Sequence, residues 1–211
     1  MAVQTILATG STDGIGKATA HALSRQGRHV LLHGKNREKG EMVIAELEAT
    51  AASGRLDLSI ADLLVQEQIR DLAAEIAGAY DCLDVLVNNA GVFIPEREIT
   101  PAGIEMTFAV NFLAQVLLIH ELLPLLKRSA PVRIANVASI AHWSVWSVDR
   151  ENLPDYDAYD AYALSKLGVV AFTARLARAL EGTEVTANPL HPGVQEWFWE
   201  MGLGFTGTER W

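Results

Sequence analysis

Short apolar runs alternate along the whole chain with longer stretches whose apolar residues recur every three or four positions, a pattern few folds accept. The runs, at 5–8, 29–33, 56–60, 84–88, 132–137 and 185–190, read as six strands. Between them, 15–26, 38–52, 65–79, about 101–127 and 158–180 carry helical periodicity. Strands of continuous apolar character, each followed by a helix, predict a parallel sheet with right-handed crossovers and helices on both faces. The expected fold class is therefore α/β, a doubly wound parallel sheet of six strands, in one domain over residues 1–211. Gly27 and Gly54 read as the stops of the first two helices, and Thr100-Pro101 as an N-cap followed by a proline in the first turn.

Composition narrows the partners. Half of the 211 residues are apolar and 20% are charged, enough to bury a sizeable core. Lys and Arg total 17 against 26 Asp and Glu, so a net charge of -9 repels polyanions and nucleic acid is not expected as a partner. Cys82 has no second cysteine to pair with, and the six histidines show no metal-ligand spacing, so no metal site is expected and a reducing cytoplasm is the simplest setting. The first ten residues lack a basic region and read as a first strand rather than a signal peptide. The segment 116–126 is interrupted by His120, Glu121 and Pro124, so no membrane span is expected.

In such sheets ligands sit beyond the carboxyl ends of the strands, and the polar motifs of this chain collect there. After the first strand comes Thr9-Gly10-Ser11-Thr12-Asp13-Gly14-Ile15-Gly16, opening into a helix. Glycines let the backbone approach a pyrophosphate, and the helix N-terminus offers free N–H groups. A strand-to-helix turn with no ligand uses glycine too, so this motif alone does not decide. About twenty residues further, where an NAD site places an acid, stand His33-Gly34-Lys35-Asn36-Arg37. Lys35 and Arg37 suit a 2′-phosphate and Asn36 adds a hydrogen bond, favouring NADP(H) over NAD(H); otherwise these are solvated charges at a helix start.

Tyr162 and Lys166 lie four residues apart on one helical face. An ammonium beside a phenol lowers its pKa, which would let Tyr162 exchange a proton with an alcohol or carbonyl oxygen, whereas an isolated Tyr–Lys pair is usually only a surface contact. Ser139 ends the fifth strand, where its hydroxyl would meet the reacting oxygen. Asn111, inside an apolar run, would hold a water beside Lys166 or be a satisfied core amide.

Together these residues resemble the short-chain dehydrogenase/reductase family over about residues 6–194. The resemblance rests on Thr9 to Gly16, Asn88-Asn89-Ala90-Gly91, Asn111, Ser139, Tyr162-x-x-x-Lys166 and Pro192-Gly193, in the family's order. It implies a Rossmann fold and an NADP(H)-dependent oxidoreductase that moves a hydride between nicotinamide and a small-molecule alcohol or carbonyl substrate. Asn111, Ser139, Tyr162 and Lys166 would handle the proton, and Lys166 would also bind the nicotinamide ribose. Further cofactor contacts implied are Asp62 and Leu63 at adenine, Asn89, Ala90 and Gly91 along the cleft, and Pro192, Gly193 and Val194 near the nicotinamide. A homodimer through the helices at 101–127 and 158–180 fits the same resemblance.

A long Ser139-to-Tyr162 interval and the basic turn after the second strand are similar to the retinol-dehydrogenase-like branch. Trp143, Trp146 and Tyr156 in that interval would form an apolar substrate wall or pack under a loop. After Val194 the sequence departs from the family: 195–211 is short, with Trp197, Phe198 and Trp199 in a row. That aromatic run reads as an altered substrate gate, an interface patch or a filler of the groove that a lid normally occupies. The alternative function is an NADP(H)-binding regulatory or interaction protein with little catalysis; a longer-chain sugar epimerase relative is disfavoured by chain length and by the Gly10-to-Gly14 spacing.

Overall fold

The apolar runs become β1 (Thr5–Ala8), β2 (His29–Gly34), β3 (Leu56–Ile60), β4 (Val85–Asn88), β5 (Val132–Val137) and β6 (Val185–Leu190). They form one parallel sheet in the order β3-β2-β1-β4-β5-β6. The structure is a computed structural model, and it describes residues 3–50, 53–145 and 156–193.

Register explains the two-sided covering. Leu7 pairs with Leu31, and both face the larger core with Leu86, Ile134 and Ala187. Alternate residues point the other way. Val30 and Leu32 pack there against Ala20 of α1 (Gly14–Arg25) and Val43 and Leu47 of α2 (Arg37–Ala49). The larger core is closed by Ile69, Leu72 and Ile76 of α3 (Gln66–Ala79), by Leu118, Leu122 and Leu125, and by Phe172 and Leu176. On the α1 side of β5 and β6, Arg133, Thr186 and Asn188 stay exposed among the described residues.

The long fourth helical pattern departs from expectation at its start. Thr100-Pro101 does not cap a helix: Thr100 N–H donates to Ile104 O at 2.8 Å and Thr100 Oγ1 accepts from Ile104 N–H, closing a turn with Gly103 at φ 77°. The cap is Glu105, whose carboxylate accepts from the N–H groups of Thr107 and Phe108. From there α4 (Met106–Phe108), a π-helical turn (Ala109–Leu113) and α5 (Ala114–Arg128) run on without a break. Pro124, expected to interrupt this stretch, sits on the exposed side of α5. The resulting 23-residue helix is long and apolar enough to cross a membrane by length and composition alone; in this fold Leu118, Leu122 and Leu125 serve the core.

Gly27, at φ 74°, stops α1 as expected. Gly54 is not the stop of α2, which ends at Ala49 with Thr50 as its cap. Its role is close approach, since a Cβ there would lie 2.0 Å from Arg28 O. The last helix, α6 (Ala158–Ala179), is fixed to the sheet by a buried polar chain. Asn88 Nδ2 donates to Asn136 Oδ1 at 2.8 Å, Asn136 Nδ2 to Thr173 Oγ1 at 2.8 Å, and Thr173 Oγ1 to Val169 O at 2.6 Å. Such bonds have one good geometry in an apolar interior, so they set how far along the sheet α6 lies.

Close approach is tightest at Gly16, where a Cβ would fall 2.2 Å from Gly10 O and 2.5 Å from Asn89 Nδ2. Gly16→Ala is expected to destabilise the protein by roughly 3 kcal/mol in urea denaturation. Gly78→Ala, in α3 with nothing within 4 Å of the new carbon, is expected to stabilise by about 0.5 kcal/mol. Similar small effects at both positions would contradict the packing described.

Candidate active site

A cleft of about 800 Å³ opens where the crossovers diverge, beyond the carboxyl ends of β1 and β4. Its floor is a seam between two turns. Thr9 Oγ1 accepts from the N–H groups of Asn89 and Ala90, both at 3.0 Å, while Asn89 Nδ2 donates to Thr9 O at 2.9 Å and Gly10 O at 3.2 Å. Gly10 adopts φ 62°, and a Cβ on it would lie 2.8 Å from Ala90 Cα. The seam therefore requires Gly10 and Gly16 for contact with protein, before any ligand enters.

Of the expected cofactor residues, Gly10, Thr12, Asp13, Gly14 and Ile15 line the cleft, as do Asn89, Ala90 and Gly91. Asp13 caps α1 by accepting from Gly14 N–H. Among the described residues, the N–H groups of Ile15 and Gly16 have no hydrogen-bond partner, so the first turn of α1 retains donors for an anion. Ser11 does not face the cleft. Its buried hydroxyl donates to Ala8 O at 2.8 Å and accepts from His33 N–H at 2.9 Å.

Lys35, Asp62 and Leu63 line the far end of the cleft, but Asn36 and Arg37 do not. Asn36 is engaged as the N-cap of α2, accepting from Lys39 N–H, and Arg37 pairs with Glu41 at 3.8 Å. Lys39, which no sequence motif marks, forms a 2.6 Å ion pair with Asp13 of the glycine turn. The lysine draws the Asp13 carboxyl below its ordinary pKa, helped by the Gly14 N–H. His33 also lines the cleft and is 2% exposed. Burial pushes its pKa down to about 4, against the opposing pull of the Ala61 carbonyl and Asp62. No pattern of spacing marks it, because an isolated histidine in a strand is ordinary.

At the other end Ser139, Tyr162 and Lys166 come together, 6%, 9% and 3% exposed. Ser139 caps the 3₁₀ turn Ile140–Ser144 and its hydroxyl hydrogen-bonds the Tyr162 phenol. Lys166 Nζ donates to Val137 O at 2.8 Å and sits 5.5 Å from the centre of the Tyr162 ring. The Tyr162 pKa is not lowered, as its four-residue spacing from Lys166 predicts, but raised. Burial raises it, opposed by the Ser139 hydrogen bond and assisted by Tyr159. The same burial brings Lys166 down to about 8. Both groups are desolvated together, and that opposes charge on either.

The Asn111 side chain is a satisfied core amide. Its Oδ1 accepts from Val92 N–H at 2.7 Å, and its Nδ2 donates to Val92 O at 2.9 Å and Ser165 Oγ at 3.1 Å. It lies in the π-helical turn, where Gln115 Nε2 donates to its carbonyl oxygen. It thus ties the loop after β4 to α6, one residue before Lys166. Gly91 leaves room there, since a Cβ would lie 3.3 Å from Asn111 Oδ1 and 3.7 Å from Lys166 Nζ.

Beside the phenol the cleft wall is apolar: Val92, Phe93, Ile94, Met106 and Val110. Phe93 packs its ring 5.8 Å from that of Tyr162, and Tyr156 secures this wall by donating to Ile94 O at 2.7 Å. Periodicity could not announce these residues, which come from a loop and from two turns of a distant helix. Trp143 does not pack under a loop among the described residues; it is 72% exposed, its ring edge-on to His142. Pro192 and Gly193 line the cleft, whereas Trp146, Val194 and the run Trp197-Phe198-Trp199 lie outside the described residues.

A family model for short chain dehydrogenases matches residues 4–198. Retinol dehydrogenase 13 of Homo sapiens is 39% identical over 194 residues, a match covering 90% of this chain and 59% of that protein. Retinol dehydrogenase 11 of Homo sapiens is 40% identical over 218 residues, covering 97% and 69%. The chain thus spans less than two thirds of the length of the first of these relatives. Among solved structures, a Burkholderia cenocepacia short chain dehydrogenase in complex with NADP is similar with TM-score 0.74 and 30% identity over 90% of this chain and 74% of its own. The Pseudomonas aeruginosa RhlG/NADP active-site complex gives 0.76 and 29%, over 96% and 77%. Family model, relatives and fold agree: the chain belongs to the short-chain dehydrogenase family, in its retinol-dehydrogenase-like branch.

Proposed function

We propose that the protein is an NADP(H)-dependent oxidoreductase interconverting an apolar alcohol and its carbonyl compound. The observation that carries the reading is the convergence of Ser139, Tyr162 and Lys166 on one end of a cleft whose middle is the glycine seam. The seam fits a dinucleotide. Ile15 and Gly16 offer N–H groups for a pyrophosphate, and Gly14 leaves open space where a Cβ would stand. Lys35 at the far end favours a 2′-phosphate, and the two NADP-bound structural neighbours support that choice. The apolar wall from Val92 to Val110 suits a substrate of the retinol kind, which the names of the relatives also support.

When bound, nicotinamide supplies or accepts the hydride. Tyr162 keeps its proton in a buried setting and gives it to the carbonyl oxygen as negative charge develops there. Ser139 hydrogen-bonds the same oxygen, holding it within reach of the phenol. Lys166, charged at neutral pH, stabilises the phenolate left behind, and its N–H groups beyond the bond to Val137 serve the nicotinamide ribose. Asn111 positions Val92 and Ser165 and so aligns wall and helix. A purely cofactor-binding role is less well supported, because simple cofactor binding does not require Ser139 beside the Tyr162 phenol.

Tyr162→Phe is expected to leave NADPH affinity within threefold of wild type while lowering kcat at least 10²-fold, as loss of a general acid does. Unchanged turnover would remove Tyr162 from the chemistry.

The charged Lys166 costs the fold stability because it is desolvated. Its pKa is about 8 when folded and near 10.5 when exposed, so the cost is fully present below pH 8 and fades as pH rises toward 10.5. Lys166→Met is therefore expected to raise the melting temperature of the ligand-free protein at pH 7 by about 2–4 °C, with a smaller gain at pH 10, while abolishing turnover. A lower melting temperature at pH 7 would show that the ammonium stabilises the fold.

A further inference from the structure

His33 ties the seam to the far end of the cleft through its ring, beside the backbone bonds of the neighbouring strands. His33, at the end of β2, accepts a hydrogen bond from Gly10 N–H at Nδ1 (3.2 Å) and reaches Ala61 O with Nε2 (3.1 Å). Its backbone is equally committed: Ser11 N–H donates to His33 O at 2.9 Å, and His33 N–H donates to Ser11 Oγ at 2.9 Å. A backbone N–H and a backbone carbonyl, on turns that follow different strands, thus share one imidazole. Only the neutral ring with its proton on Nε2 satisfies both, since Gly10 brings a donor and Ala61 an acceptor. Burial favours that neutral form, as described above.

These two backbone groups need partners. Gly10 sits in a left-handed conformation at the start of the glycine turn, and Ala61 follows β3 at the edge of the sheet. Each begins a segment of the cleft wall: Thr12 to Ile15 follow Gly10, and Asp62 and Leu63 follow Ala61. Strand pairing and the bond from Ala61 N–H to Gly34 O (3.1 Å) hold the two segments in the sheet, and the ring adds a rigid tie between Gly10 N–H and Ala61 O.

We propose that His33 is a positioning residue that sets the gap between the glycine turn and the Ala61–Leu63 turn, and thereby the affinity for the adenosine half of the dinucleotide. This rests on the dinucleotide reading above. The ring acts chiefly on one half of the ligand, because its partners are Gly10 in the middle of the cleft and Ala61 at the far end, and neither Tyr162 nor Lys166 is among them.

The test separates the two ring nitrogens and the two halves of the ligand. His33→Asn retains an acceptor near Nδ1 for Gly10 N–H, His33→Gln places its amide near Nε2 for Ala61, and His33→Leu has neither. Calorimetry with NADPH, with 2′,5′-ADP and with reduced nicotinamide mononucleotide is run on each, beside kcat at saturating NADPH. Expected is a loss of at least tenfold in affinity for NADPH and 2′,5′-ADP in His33→Leu, with partial recovery in His33→Asn or His33→Gln. Binding of the mononucleotide and kcat should stay within twofold. If His33→Leu does not fold, the Asn and Gln variants decide: weaker 2′,5′-ADP binding with unchanged mononucleotide binding supports the proposal. Unchanged 2′,5′-ADP affinity in the folded variants overturns it, as does an equal loss for both halves, which would mark a general structural role. Failure of the dinucleotide reading looks different, because the wild-type protein itself would then bind neither NADPH nor 2′,5′-ADP.

Discussion

The structure depends on how closely the turn after β1 can approach the turn after β4. Thr9 gives its hydroxyl oxygen to two backbone N–H groups of the neighbouring turn, and Asn89 returns its amide to two carbonyls of the first. Gly16 backs onto Gly10 with no space for a methyl group. With the turns locked, the first turn of α1 ends at the cleft with unpaired N–H groups, and Gly91 is held against Asn111 and Lys166. A long cleft with free N–H donors follows from backbone geometry, and the side chains then grade it from charged at one end to apolar at the other.

Much of this was legible in the sequence because it is periodic or tied to a turn. Continuous apolar runs gave strands, and β1, β3, β5 and β6 have the bounds read from the runs. The pairing of Tyr162 with Lys166 was legible for the same reason, since four residues along a helix is one face. The start of the fourth helical stretch was not. Thr100-Pro101 carries the local chemistry of a cap, but Gly103 and the backbone pairing of Thr100 with Ile104 make a turn there, so Glu105 begins the helix instead. A tertiary arrangement overrode a local preference.

The features least visible in the sequence are those that depend on burial. A phenol next to an ammonium reads as an activated phenol, yet both groups are desolvated, and burial raises the Tyr162 pKa and lowers that of Lys166. Asn111 reads as a polar residue seeking a ligand until its amide is seen bonded to Val92 and Ser165. The buried chain from Asn88 through Asn136 to Thr173 places α6, yet its members are ordinary residues in two strands and a helix. Charge at the glycine turn is similar: Lys39 meets Asp13 only through the folding of α2 beside it.

The proposed function requires the seam between these two turns to hold the phosphates of NADP(H), with the 2′-phosphate at the lysine end. Amide NMR shifts during parallel titrations with NADPH and NADH test it directly. Saturable shifts are expected at Ile15, Gly16 and Gly91, reaching half-completion below about 1 mM NADPH, within the ordinary range for enzyme ligands, and at higher concentration with NADH. Shifts absent from these three residues at saturation, or tighter binding of NADH, would contradict it.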